Sequence, residues 1–430
     1  MSFLARPPHT ARTIAAIAIG NTLEWFDLAI YAFFAVYIAG NFFPMADETT
    51  SLLLTFGSFG ASYLMRPLGG LILGSYADRH GRKAALLLSL WLMSAGTALI
   101  ALLPNYHVIG LAAPIGLFCA RLIQGFSSGG EFGACTAMLF EQAPNKRGLH
   151  ASWQFSTQGL GSLGAALMGF ALSHWLTPHA LMAWGWRIPF AVGSLLGPVG
   201  WYLRRTLHDA PAFIQAPRAA APVREVLGHY RPRLAIVAGL LSVTTTLAYL
   251  LQYMPTFALR TLHLSAATGF AAAIVPGALS TLLTPLGGWL SDRLGPVRQM
   301  SVAAMLCLVS AWPAFTYAAA HPSARSLFLL VTWLGLIKAL YSGALPLVLA
   351  ALFPMPLRAT GIALGYNVGV MVFGASAPAI VVWLASVTGQ PGAPGLYVML
   401  TAAISLSALA GLAGFDNGRH QTSKADAQPA

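Results

Sequence analysis

The chain has 430 residues, is 57% hydrophobic and carries charge on only 8% of its positions, with a mean hydropathy of +0.68. A soluble domain carries about 25% charged residues, so this composition excludes a chain that covers its whole surface with polar groups, and lipid is the expected solvent for most of its length. The net charge of +12 would suit a nucleic-acid partner, but its distribution argues against one; Cys119, Cys135 and Cys307 all fall in apolar runs and offer neither a disulfide framework nor a zinc spacing.

Apolar runs of about 20 residues can cross a bilayer. Twelve are predicted in chain order: 14–40, 51–75, 84–103, 108–138, 151–177, 184–203, 233–257, 266–290, 299–319, 326–350, 360–388 and 394–415. The first holds GNTLEWFD, in which Glu24 and Asp27 sit where a lipid-facing helix would want no acid. Arg6 and Arg12 precede it as in a signal peptide, but the run is long, contains both acids and lacks a small-x-small cleavage site, so it reads as a retained first helix. Short polar breaks separate the runs, and one longer break rich in Pro, Ala and Arg, 204–232, divides the chain six plus six. The expected organisation is a six-helix bundle over 1–203, a cytoplasmic linker over 204–232, a second six-helix bundle over 233–415 and a short tail over 416–430. With the N-terminus placed in the cytoplasm, 18 of the 24 basic residues fall on cytoplasmic segments, and only Arg187, Arg260 and Arg325 fall outside. This positive-inside bias puts both termini in the cytoplasm and explains the basic pI without nucleic acid.

GSYADRHG (74–81) follows the second run and GWLSDRLG (288–295) the eighth; both read G-x-x-x-D-R-x-G. LFEQAPNKRG (139–148) and LFPMPLRATG (352–361) repeat at nearly the same offset. The chain therefore reads as a duplicated six-helix unit. Because six is even, both copies share one orientation, which is the parallel-repeat plan of one large transporter architecture.

GSYADRHGRK resembles the motif between the second and third helices of the major facilitator superfamily. GNTLEWFD, LMRPLGG (64–70), RLIQGFSSGGEFG (121–133) and WGWRIPF (184–190) resemble its metabolite–proton symporter family. SWQFSTQ (152–158), the stretch 244–266, AWPAFT (311–316) and TGQPGAPGLYVM (388–399) bring it closest to the citrate–proton symporters. The resemblance covers all but the last ~15 residues beyond the final span. It implies an all-α membrane protein, twelve transmembrane helices in two parallel repeats, working by alternating access. It also implies that Asp78, Arg79, Gly81 and Arg82, with Asp292 and Arg293 in the second copy, gate the cytoplasmic face. The residues alone allow a plainer reading of these six, as topogenic charge around a tight turn.

A charge at mid-depth costs about 2.5–3.5 kcal/mol, so the intramembrane ionisable groups need a polar interior. At 1.5 Å per residue, Glu24 lies roughly 15 Å deep, with Asp27 one turn on, and Arg121 roughly 20 Å deep from the other side. They form either a self-satisfying ion pair or a proton-coupling cluster in which a cation that moves makes an acid take up or release a proton; the resemblance favours the second. Arg66 and Glu131 read as deeper toward the cytoplasm, with Glu131 structural and pairing with Arg66 or the loop cations. Arg121 and Lys338, from opposite halves, are candidates to clamp a polycarboxylate, Arg offering a bidentate fork. Gln154 and Gln158, one turn apart, with Asn21, Tyr249 and Tyr253, are further candidate substrate contacts; Tyr341 and Asn367 are additional midspan polar groups. Each can equally be interhelical glue. Lys338 departs from the pattern expected of citrate carriers.

No histidine pair shows metal spacing and no Walker loop is present, so neither a metal, an organic cofactor nor ATP drive is expected, and the proton gradient is the energy source. The reading is a monomeric, proton-coupled importer of a di- or tricarboxylate such as citrate or tricarballylate, in the inner membrane. The rivals are symport of 2-oxoglutarate, shikimate or a zwitterion such as proline or betaine. The tail DNGRHQTSKADAQPA shows no heptads, which weighs against the osmosensory type. An intramembrane enzyme would need a nucleophile–base pair or metal ligands at one depth, and none is legible.

Overall fold

A computed structural model describes residues 8–45, 47–80, 82–129, 131–141, 146–204, 222–354 and 357–425. Each of the twelve apolar runs is helical. In the first half they are α1 (Pro8–Phe33), α2 (Ala35–Phe42), α3 (Glu48–Leu64), α4 (Arg66–His80), α5 (Arg82–Leu102), α6 (Tyr106–Ile109), α7 (Ala112–Ser128), α8 (Glu131–Glu141), α9 (Arg147–Trp175), α10 (Pro178–Ala180) and α11 (Arg187–Arg204). The second half holds α12 (Pro222–His229), α13 (Arg231–Arg260), α14 (Ala266–Leu294), α15 (Pro296–Ala320), α16 (Ala324–Ala351), α17 (Arg358–Gly369), α18 (Ala377–Thr388) and α19 (Ala393–Ala425).

The two halves differ in continuity. Among the described residues six helical passes are each long and apolar enough to cross a membrane, and all six lie in the second half. The first-half runs 14–40 and 51–75 are interrupted, whereas α9 runs unbroken over 29 residues. Phe34 leaves helical geometry and bends α1 against α2 by 62°; Met65 separates α3 from α4. Two passes contain a π-helical turn, at Leu181–Gly185 and Val370–Ala375, an insertion often found near functional sites. The central break is not loop throughout, because Pro222–His229 is a helix, and the last helix runs to Ala425, past the expected end at 415.

Local chemistry sets several helix ends. Asp47 caps α3, its carboxylate accepting from Thr50 N–H at 2.8 Å and Thr49 N–H at 3.2 Å. Hydrogen bonds from Thr50, through its hydroxyl and its backbone, hold the Asp47 carboxyl below the usual aspartate range. Ser265 and Ser323 cap α14 and α16 in the same way. Gly389, at φ +64°, closes α18 in the left-handed region that glycine enters without strain.

Small residues set the spacing between passes, as membrane interfaces require. A side chain on Gly125 would strike the carbonyl of Ser62, and one on Gly129 that of Arg66, so α7 lies backbone to backbone on α3 and α4. Gly148 on α9 and Gly288 on α14 stand in each other's way in the same sense, which joins the two halves at the end where Arg147, Arg293 and Arg358 lie. That end is called the basic end below.

Candidate substrate and proton site

Glu24 and Asp27 come from one stretch of α1 but meet different partners. Residues three apart on a helix are turned about 60° from each other. Glu24 faces α4, where Arg66 Nη2 lies 3.3 Å from its carboxylate. Asp27 faces α5 and α7: Thr97 donates to Oδ1 at 2.5 Å and Gln124 Nε2 donates to Oδ2 at 2.6 Å. Arg121 is wholly buried, stacked 4.3 Å from the ring of Tyr31 and 5.0 Å from that of Phe59. Its Nη1 donates to Gln124 Oε1 at 2.7 Å and its Nη2 to Ser62 at 3.2 Å. Among the described residues no carboxylate lies within 4.0 Å of it.

The expected acid–acid–base cluster is therefore corrected. Arg121 reaches Asp27 only through the Gln124 amide, and Glu24 is neutralised by Arg66. Of the two partners expected for Glu131, Arg66 pairs instead with Glu24, and the side chains of the loop cations Arg79, Arg82 and Lys83 lie outside the described residues. α4 packs closely on α7 at Arg66, whose O lies with Gly70 N against Gly129. Arg66 stacks 4.3 Å from the ring of Tyr63, whose hydroxyl is hydrogen-bonded to Tyr249 of the second half.

The other expected contacts divide. Asn21 and Gln154 bond each other's elements: Asn21 Nδ2 donates to Gln154 O at 2.8 Å and Thr157 Oγ1 at 2.6 Å, which is glue between α1 and α9. Gln158 is buried with Nε2 unpartnered. Tyr253 packs edge-on against Phe56 across the halves. Tyr341 donates to Leu240 O within the second half, whereas Asn367 donates to Gly129 O across it. Lys338 is buried on α16, its Nζ donating to Ser280 Oγ at 2.9 Å, with no carboxylate within 4.0 Å among the described residues. It faces a cavity of about 20 Å³ between the halves, lined also by Ser162, Gln252 and Gly277.

Buried polar side chains almost always find partners. Here Arg66 Nε, Arg121 Nε, Gln158 Nε2 and Gln252 Oε1 lack them. A core with two carboxylate-free cations and several unspent hydrogen-bonding atoms is suited to an anionic guest.

Contacts close both ends of the path between the halves. At the basic end, Gly148 and Leu149 N–H, the first free donors of α9, point at Asp292 at 2.8 and 3.1 Å. An acid there is favoured by the helix dipole. Phe132 stacks on Tyr366 across the halves. The side chains of Asp78, Arg79 and Arg82, and Gly81 itself, lie outside the described residues. At the opposite end Arg260 Nη1 meets Glu48 at 2.5 Å, again across the halves.

Sequence reasoning missed Gln124, Thr97 and Ser62. Gln124 had a signal, being one turn from Arg121 on the same face of RLIQGF; Thr97 and Ser62 had none, since isolated hydroxyls are common in membrane helices.

The Major Facilitator Superfamily model matches residues 17–378. The chain is 37% identical over 413 residues to a citrate–proton symporter of Salmonella typhi, covering 94% of this chain and 95% of that one. It is 37% identical over 407 residues to the alpha-ketoglutarate permease of Escherichia coli, covering 92% and 93%, and 34% identical to a glycine betaine/proline/ectoine/pipecolic acid transporter of Dickeya dadantii, covering 92% and 81%. A crystal structure of a D-xylose–proton symporter matches the fold with a TM-score of 0.73 at 17% identity, over 92% of this chain and 97% of that one. The twelve helical passes, the paired halves and these matches agree: the chain belongs to the Major Facilitator Superfamily, whose members are multi-pass membrane transporters and not enzymes.

Proposed function

We propose that the protein is a proton-coupled symporter that imports a small organic anion, a tri- or dicarboxylate of the citrate or tricarballylate kind. The observation that carries this is Arg121: a buried guanidinium with no carboxylate of its own, tied through one amide to the acid Asp27. Protonating Asp27 removes the nearby negative charge that competes for Arg121. The site then holds an anion more tightly, and proton and cargo favour each other's binding. Asp27 is the proton carrier on this reading. Glu24, held by Arg66, keeps that cation in place and tunes it. Lys338 and Gln158 Nε2 donate to further carboxylate or hydroxyl oxygens, and Gln252 Oε1 accepts from a cargo hydroxyl.

The two six-helix units over 1–203 and 233–415 rock about this site, joined by the 204–232 linker, with both termini in the cytoplasm of the inner-membrane protein and a single copy sufficient. Asp292 of α14, capping the start of α9, and the Glu48–Arg260 bridge are the closing contacts of the two gates. The similarity to the citrate–proton symporters supports the cargo class, within which 2-oxoglutarate and shikimate compete with citrate as the anion carried. The buried Glu24–Arg66 pair gives one specific reason for a zwitterion such as proline or betaine, which would meet both signs there.

The test is uptake into proteoliposomes under an imposed pH gradient, with labelled citrate, tricarballylate, 2-oxoglutarate, shikimate and proline. Gradient-driven accumulation of a carboxylate supports the reading. Uptake of none, or uptake indifferent to the gradient, refutes it; proline alone would select the zwitterion rival.

A further inference from the structure

A second cavity lies inside the first half, between α1, α5, α7, α8 and α11, with a volume of about 30 Å³. Its lining carries three acids, Glu24, Asp27 and Glu131, and the hydroxyls of Ser94, Thr97 and Ser128 among others. No residue of the second half lines it. Its axis can be read from the helices. α5 starts at the basic end, so lining residue Ser89 lies about 12 Å nearer that end than Thr97, at 1.5 Å per residue. Glu131 opens α8, which leads out to the loop before Arg147. The cavity thus runs from Asp27 and Thr97 at its inner end to Ser89 and Glu131 near the basic end.

The Asp27 carboxylate stands between two environments. Oδ1 meets Thr97, which lines this cavity; Oδ2 meets Gln124, which does not line it and which holds Arg121. Gln124 Nε2 also donates to Thr97 at 2.9 Å, so Asp27, Thr97 and Gln124 form one linked group with the cavity on the Thr97 side and Arg121 on the other. A void of about 30 Å³ has room for about two waters, for which the carboxylates and hydroxyls of its lining supply hydrogen-bonding partners.

We propose that this cavity is the proton's own route between Asp27 and the basic end, with Glu131 as the relay acid at its mouth, separate from the path taken by cargo. The inference rests on the symport reading and deepens it. In one transfer the O–H bond of protonated Asp27 breaks. The proton passes through water to the Glu131 carboxylate, forming an O–H bond there. Glu131 then releases it to water at the basic end, and Asp27 is left anionic for the next cycle. The charged groups facing the route are Glu24 with its partner Arg66, and Arg121 behind Gln124. Among the described residues α5 and α11 contribute hydroxyls, glycines and apolar side chains to the lining and no titratable group. Because every wall belongs to one half, the route persists while the halves move relative to each other.

The test uses the full-length chain in proteoliposomes with the labelled cargo that it carries. Glu131→Gln and Glu131→Asp are compared with the unmodified chain in counterflow, which moves no net protons, and in uptake driven by a pH gradient. Glu131→Gln is expected to leave counterflow intact, slow driven uptake about tenfold (~1.4 kcal/mol on the transfer barrier) and flatten its pH profile, and Glu131→Asp to restore both. Unchanged driven uptake, or equal loss of counterflow and driven uptake, overturns the route. Water access is read separately with Ser94→Cys in a Cys119→Ser background, treated with a membrane-impermeant methanethiosulfonate. Labelling is expected from the basic-end face, with or without cargo. Absence of labelling, or labelling only from the opposite face, overturns the route. Wild-type uptake indifferent to the pH gradient would refute symport itself, so the two failures are distinguishable.

Discussion

Asp27→Asn isolates the coupling between proton and cargo. Asparagine keeps the size of the side chain and one oxygen, which can accept from Thr97 or Gln124, and carries no charge. Gln124 joins Arg121 to Asp27 through hydrogen bonds of 2.7 and 2.6 Å. The two charges are therefore at most about 8 Å apart, and at an effective dielectric constant of about 20 they interact by roughly 2 kcal/mol. An ionised Asp27 weakens the hold of Arg121 on an anion by up to that amount, about 30-fold in affinity. In the unmodified chain, anion affinity is accordingly highest with Asp27 protonated and falls as pH rises through its titration. In Asp27→Asn it should stay at the low-pH value throughout. Titration calorimetry on the purified chain from acid to neutral pH measures both curves. In proteoliposomes the variant should lose gradient-driven accumulation while counterflow persists. An Asp27→Asn chain whose affinity still falls with pH, or which still concentrates cargo under a pH gradient, would refute the coupling through Gln124.

Gln124→Leu should leave both charges in place but cut the link and strand two buried groups, costing about 1–3 kcal/mol of stability each; a lowered melting temperature with weakened pH dependence of binding is the expected pair of readouts. Glu24→Gln leaves Arg66 buried without its carboxylate, which typically costs about 3–5 kcal/mol, so it should lower thermal stability more than Asp27→Asn does. Lys338→Gln should weaken binding of a tricarboxylate at least tenfold, about 1.4 kcal/mol, and leave a monocarboxylate little changed; equal effects on both would remove Lys338 from the site. Asp292→Asn weakens the cap on α9 by about 1 kcal/mol, and should raise modification of a reporter cysteine at the basic end about fivefold. The exposed Glu48–Arg260 bridge contributes at most about 1 kcal/mol, so Glu48→Gln should shift access at the opposite end by no more than that.

The midspan acids divide what a linear pattern carries from what it does not. GNTLEWFD announces a polar interior, because charge in hydrocarbon demands one, and it places Glu24, Asp27 and Arg121 at overlapping depths. It does not say which acid meets which cation. A shift of three residues along a helix turns a side chain by about 60°, enough to send Glu24 to α4 and Asp27 to α5 and α7. The partner of Arg66 is hidden for a related reason, since the helix rotation that turns it toward Glu24 leaves no linear mark. Asp292 is the converse. The repeated G-x-x-x-D-R-x-G motif puts an acid where a helix end would favour it, and the structure supplies the end, that of α9.

Composition, span length and the repeat by themselves determined that this is a twelve-pass, duplicated membrane carrier, because lipid permits few folds and each leaves a long-range periodic mark. Only the tertiary structure decided the pairing of Arg66 with Glu24, the Gln124 bridge between Arg121 and Asp27, and the acid-lined cavity reaching Glu131. Those depend on helix rotation and on contacts between residues far apart in the chain, and a linear pattern carries neither.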